Sequence, residues 1–357
     1  MRTFCLSLLL VFVFLTVLPS ESKAIVGEKL LNQAGLKTAW QNAIALNPKE
    51  KIQKITVLGG HLYILTDNNY LFCLDRHTGR LNFAFSAATL GLPVLEPTVY
   101  NNIAYLVAAN YLIAINLEQG MEIYRSKMPF PVSTAIAVNA SYIYVPAMDK
   151  RLHVMDPNGR QSIFEVSTDN ASAITSVLAT DSFTIFTTDG GNVIRMNPSR
   201  PKRIWEFKAV GAIEATPVIV QNQLYVSSKD TNLYKLNVEN GSLAWKFQTG
   251  AFLTTSARAT ETTVYQYAIN KGLYAIDAES GKQIWLLPDG IDLLAQDGDT
   301  AYVFDKNNIC LVMDNKQAKN THKVNFASVT NFVANPYDSN IYIMENKNIS
   351  CIKPIKK

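Results

Sequence analysis

Thiols, imidazoles and paired carboxylates are the side chains of this 357-residue sequence with types suited to chemistry. Cys73, Cys310 and Cys351 lie far apart, and an odd number cannot all pair within one chain. Cys73 and Cys351 hold matching places in units that a repeat makes neighbours, so they point from the same face of their own sheets rather than toward each other. Cys310 stands two positions earlier in its own copy and shares their parity, because strand side chains alternate with period two. Three unpaired, mostly buried thiols are expected. His61, His77, His153 and His322 are scattered, and no pair has the spacing of two ligands to one metal. Asp297-Gly-Asp299 carries a calcium-loop flavour but lacks the other ligands of a roughly twelve-residue loop. Turn chemistry accounts for it better. Asn-x-Ser sequons begin at Asn139, Asn170, Asn240 and Asn348. No catalytic, cofactor-binding or metal-binding residue is assigned from these groups, and no cofactor is expected.

The ends and the composition narrow the setting. Arg2 precedes an apolar run from Phe4 to Leu18, Pro19 breaks it, and Ser22-Lys23-Ala24 places small residues where a leader peptidase reads them. A run of this length falls short of the ~20 residues that span a bilayer. The sequence therefore predicts a signal peptide over 1–24 and a single domain over 25–357, periplasmic or secreted, with no transmembrane segment in the mature chain. Cys5 lies at the start of the apolar run, where a lipid-attachment cysteine does not fall, so a soluble mature protein is expected. A formal charge of +4 without a Lys/Arg cluster gives nucleic acid little to hold. Hydrophobic residues make up 48%, enough for a packed core.

The elements that must position any site announce themselves as a repeat. Leu71-Phe-Cys-Leu-Asp75, Leu112-Ile-Ala-Ile-Asn116, Leu152-His-Val-Met-Asp156 and Val193-Ile-Arg-Met-Asn197 share one pattern. It returns at Leu233-Tyr-Lys-Leu-Asn237, Leu273-Tyr-Ala-Ile-Asp277 and Cys310-Leu-Val-Met-Asp314. The terminal Asp or Asn recurs at intervals of 41, 40, 41, 40, 40 and 37, and Ile349-Ser-Cys-Ile-Lys353 follows 39 later. Short β-branched or aromatic runs precede each copy and Gly-containing turns follow, which reads as antiparallel hairpins. In the fifth unit the strands fall near Thr216–Val220, Leu224–Ser228, Asn232–Asn237 and Leu243–Gln248. Four-stranded sheets at this period are propeller blades. The fold expected is an all-β, eight-bladed β-propeller of four-stranded antiparallel blades.

An aromatic follows each turn: Phe83, Tyr124, Phe164, Trp205, Trp245 and Trp285. Large rings on outer strands lock neighbouring blades together, which is a structural role rather than a carbohydrate-binding stripe. Trp40 ends Gly35-Leu-Lys-Thr-Ala-Trp40, which looks like an outer strand without its first three. The last unit, near Val329–Lys353, lacks a fourth strand, so the N-terminal strand is expected to close the last blade. Unit seven has neither the turn glycine nor the aromatic and is expected to be the loosest.

Leu273-Tyr-Ala-Ile-Asp-Ala-Glu-Ser-Gly-Lys-Gln-Ile-Trp285 and Leu233-Tyr-Lys-Leu-Asn-Val-Glu-Asn-Gly-Ser-Leu-Ala-Trp245 closely resemble the pyrroloquinoline-quinone-type (PQQ-type) repeat. The resemblance runs from about Gly35 to Lys353 and implies one of two groups. Quinoprotein dehydrogenases bind the quinone and calcium in the central funnel. The other group is similar to BamB, which assists outer-membrane β-barrel assembly without a cofactor. Resemblance to the dehydrogenases would imply adjacent cysteines beside the quinone, a carboxylate base and a calcium site. This sequence has no Cys-Cys and no Cys-x-x-Cys-His haem motif.

The expectation is therefore a non-catalytic exported scaffold that binds protein partners, BamB-like assistance to the outer-membrane assembly machinery included, and that acts as a monomer. The alternative is a quinone- or small-ligand-binding propeller. Partner contacts are expected on the loops entering each blade. Leu90-Gly-Leu-Pro93, Met128-Pro-Phe-Pro131, Val210-Gly-Ala-Ile213 and Gly250-Ala-Phe-Leu253 are apolar for surface connections. Leu92, Phe130, Ile213 and Phe252 are the expected contacts, unless these loops fold inward and plug the channel.

Overall fold

A computed structural model describes residues 24–355. The expected leader lies outside the described residues apart from Ala24. Eight antiparallel sheets of four strands each form the blades of a propeller. Blades one to seven are sequential, covering residues 52–86, 98–127, 137–167, 174–208, 218–248, 258–287 and 290–325. Blade eight takes Asn331–Val333, Ile341–Glu345 and Asn348–Pro354 from the C-terminal end and Leu36–Ala43 as its outermost strand. The expected closure is borne out: Trp40 stands opposite Cys351, and Ile355 donates its N–H to the Gly35 carbonyl at 2.8 Å.

Period-two alternation builds the core. In blade one, Leu62, Ile64, Phe72 and Leu74 face blade eight, while Tyr63, Leu65, Leu71 and Cys73 face blade two. Repeated around the ring, this gives eight apolar clusters, one in each seam between neighbouring blades. The core is a set of interfaces rather than one centre.

The recurrent Asp or Asn caps the turn before each outermost strand. Asp75 accepts from the backbone N–H of His77 at 3.0 Å and Thr78 at 2.8 Å, and Asn237 accepts from Glu239 at 2.8 Å. Unit seven keeps this geometry without glycine. Ala318 takes the glycine's place four residues after Asp314 at φ +50°, and Gln317 donates to Asp314 at 2.9 Å.

The aromatics dock as expected. Trp205, Trp245 and Trp40 donate their indole N–H to carbonyls in the next blade: Val238 at 2.9 Å, Ala278 at 3.1 Å and Arg76 at 3.2 Å. Each ring lies over that blade's turn glycine, where a Cβ would overlap it. Trp285 donates to the Asn315 side chain at 2.8 Å, and Tyr124 to the Pro157 carbonyl at 2.7 Å. Phe83 covers Gly120, and Phe164 packs into the cluster between blades three and four. In every blade the residue before this position is a β-bulge, as at Ile204 before Trp205 and Ala244 before Trp245, which aims the ring along the seam.

Cys73, Cys310 and Cys351 are free and buried, each in a different seam. Burial pushes the Cys73 and Cys351 thiols up to about 12. Native protein should therefore react slowly with a thiol reagent at pH 8. Denatured, unreduced protein starting at Ile25 should titrate three thiols, and a count of one would mean that a pair is bridged.

Candidate protein-docking face

Loops entering the blades and hairpins joining the second and third strands share one face. On it, large apolar side chains stand out to solvent: Leu90, Leu92, Met148, Val210, Phe252 and Ile269. Exposed apolar residues on one face make that face a candidate for protein docking, since contiguous apolar patches are uncommon on soluble proteins.

The loops work by division of labour, with one apolar residue anchoring while another is presented. Ile213 is fully buried in the seam between blades four and five, which corrects its expected role as a partner contact. Leu253, 40 residues later, is its counterpart and equally buried. Held by these anchors, Val210 is 94% exposed and Phe252 58% exposed, so neither plugs the channel.

The loop carrying Val210 is rigidly held. The Asp230 carboxylate accepts from the Val210 N–H at 3.0 Å and the Tyr234 hydroxyl at 2.6 Å. Burial alone would raise the Asp230 pKa, but the hydrogen bonds from Tyr234, Asn232 and Val210 outweigh it and hold the carboxyl below its usual range. Lys229 donates its N–H to the Ala212 carbonyl at 2.9 Å. A Cβ on Gly211 would overlap the backbone of Asp230, so the close approach needs glycine there. The next loop is fixed by Thr249, whose hydroxyl donates to the Ala251 carbonyl at 2.9 Å.

Around blades two and three the face holds an apolar groove of about 550 Å³ lined by Leu92, Leu95, Val107, Pro131, Val132 and Met148. Leu92 stands at 44% exposure. Phe130 is half-buried and stacks on His153 with ring centroids 3.8 Å apart. His153 is buried and reaches Asp149 through Nε2 at 2.9 Å. Of the four expected contacts, Leu92 and Phe252 are exposed, Phe130 is half covered and Ile213 is internal. Sequence reasoning named the loops of Leu90 and Val210 but not these residues as the contacts, and it missed Met148. Aligning the loops on Ile213 and Leu253 would have exposed the register error.

A cavity of about 800 Å³ opens among the innermost strands of blades four to eight. Its carboxylates are already engaged. Glu261 accepts from Gln221 at 3.1 Å, Asp299 pairs with Lys316 at 2.6 Å and Asp338 with Arg76 at 3.1 Å. No helix of the described residues is long and apolar enough to cross a membrane.

Comparison with known proteins places this geometry. A family model described as outer membrane protein assembly factor BamB matches residues 27–167 and 149–333. No curated protein matches the sequence. Among solved structures, BamB from Moraxella catarrhalis is similar with a TM-score of 0.69 at 13% identity, over 89% of this chain and 97% of that one. The computationally designed Ika8 protein is similar with a TM-score of 0.65 at 14% identity, over 86% and 97% respectively. At these identities the two structures speak for the propeller fold alone.

Proposed function

The chain belongs to the family of the outer membrane protein assembly factor BamB, and from that premise we propose that it is a non-catalytic scaffold assisting outer-membrane protein assembly. It works in the periplasm after its leader is cut between Ala24 and Ile25, binds protein partners and acts as a monomer without a cofactor. The observation that carries this reading is the exposed apolar set on one face, with Val210 presented on a loop pinned by Asp230. A preorganised loop loses little entropy on docking, so its apolar contact converts more fully into affinity. Leu92 and Phe252 extend the same face, and Phe130 flanks the groove beside it.

The second reading is a small ligand, a quinone included, in the cavity on the propeller axis. The cavity's volume favours it, and the prior engagement of its carboxylates weighs against it.

Cross-linking of tagged protein in its native host, with partners identified by mass spectrometry, tests both. Outer-membrane assembly components should be recovered with the parent protein. A folded Val210→Asp/Phe252→Asp variant should lose them, with affinity falling by roughly 30-fold or more for contacts that together contribute about 2 kcal/mol or more. Recovery of no protein, with a chromophore or metal bound instead, would overturn the scaffold reading.

A further inference from the structure

Seven seams are closed by an aromatic at the position after the bulge, reaching from one blade into the next. The seam between blades seven and eight lacks that aromatic, and its ring contact is instead Phe304 of blade seven against Phe332 of blade eight, 4.4 Å between centroids. The residue at the docking register of blade seven is His322, which pairs with Val312 as Trp245 pairs with Lys235. His322 is exposed and docks no ring in the seam. Blade eight also lacks the turn that would receive such a ring, because its outermost strand comes from the other end of the chain.

The segment before that strand fills the place. Ile25, Val26, Leu31 and Leu36 are buried in one cluster with Phe304, Val312 and Phe326 of the blade-seven side and Ile341, Ile343 and Ile352 of blade eight. A short helix, Glu28–Gln33, carries Leu31 into the seam. Gly35 at φ +69° then ends the helical turn and lets the chain enter the outermost strand. Polar contacts fix both sides. Ile25 donates its N–H to Gln41 Oε1 at 3.1 Å, and the Ser328 hydroxyl donates to the Ile25 carbonyl at 3.0 Å.

We propose that Ile25–Leu36 is a latch that closes the seam between blades seven and eight in place of the missing aromatic. Its residues come from the chain's N-terminal side, so the ring is sealed only when they seat. Release of the latch would open this seam while leaving the other seven intact. The latch meets the loop entering blade eight at Ser328 but includes none of the exposed apolar residues named on the docking face, and its test reads hydrogen exchange rather than partner binding.

Amide hydrogen exchange on the full chain reads it directly. Leu31→Ala empties a fully buried site, so exchange should rise by more than about tenfold in Lys319–Asn325 and Asn331–Val333. Exchange in Leu243–Gln248, at the seam between blades five and six, should stay as in the parent. Val26→Ala removes less volume from the same seam and should give a smaller rise in the same segments, which covers a Leu31→Ala protein that does not fold. Unchanged exchange in those segments, or an equal rise at both seams, would overturn the latch.

Discussion

Trp245→Ala should lower stability by about 3–5 kcal/mol, a fall in Tm of about 4–7 °C for a chain of this size. The loss has three parts. The indole N–H leaves the Ala278 carbonyl, which it meets at 3.1 Å. The ring leaves its tilted contact with Tyr225, 5.9 Å between centroids. A cavity opens over Gly281, where a Cβ would come within 2.7 Å of the indole. That last distance makes the glycine and the tryptophan one unit. Gly281→Ala alone should destabilise, both through its backbone at φ +70° and through the clash. In the Trp245→Ala background the overlap with the ring disappears, leaving only the Cβ at 3.1 Å, so the double variant should be more stable than the sum of the two losses predicts. Chemical denaturation of the four proteins measures this coupling. Strict additivity would mean that the ring does not rest on the glycine.

Removing everything before Ile44 should abolish the folded ring. The outermost strand of blade eight, Leu36–Ala43, pairs along Asn348–Pro354, and Trp40 closes the seam to blade one over Gly79. Without it, blade eight keeps three strands and loses its lock on both sides. Loss of the sharp cooperative transition in thermal unfolding is the expected result. A circular permutant restores the outermost strand that the truncation removes, though not the segment Ile25–Ala34. Leu36 lies opposite Pro354, so a short turn joining Ile355 to Gly35 makes blade eight a continuous four-stranded meander. New termini then fall in the loop after Ala43, and this permutant should fold with a cooperative transition. A truncated chain that melts like the parent would refute the closure argument.

The fold was legible because a blade is a local object. Four strands and their turns repeat within about 40 residues, and the Asp/Asn, glycine and aromatic positions each answer a local need. Closure by the N-terminal strand was legible too, since Trp40 bears the docking signature without a blade of its own. What escaped was long-range or directional. Absence of an aromatic in unit seven read as looseness, whereas the seam is filled by Leu31 from a six-residue helix that no periodicity announces. Apolar loops were correctly singled out, but composition does not say which apolar residue points inward. Ile213 is internal and Val210, three residues earlier, is outside, because the anchor position is set by the seam beneath it.

The bulge before each docking aromatic has a consequence on the rim. Every outermost strand leaves a row of backbone donors and acceptors facing solvent, an open template for another β-strand. A bulge sets two residues against one, so an incoming strand loses register midway along it. Charged side chains reinforce this, as with Arg203 and Glu206 flanking the bulge in blade four and Glu122 and Arg125 in blade two. The rim is thereby a poor partner for strand addition. For a protein proposed to work beside unfinished β-barrels, whose strands await pairing, such a rim guards against being drawn into the sheets it attends.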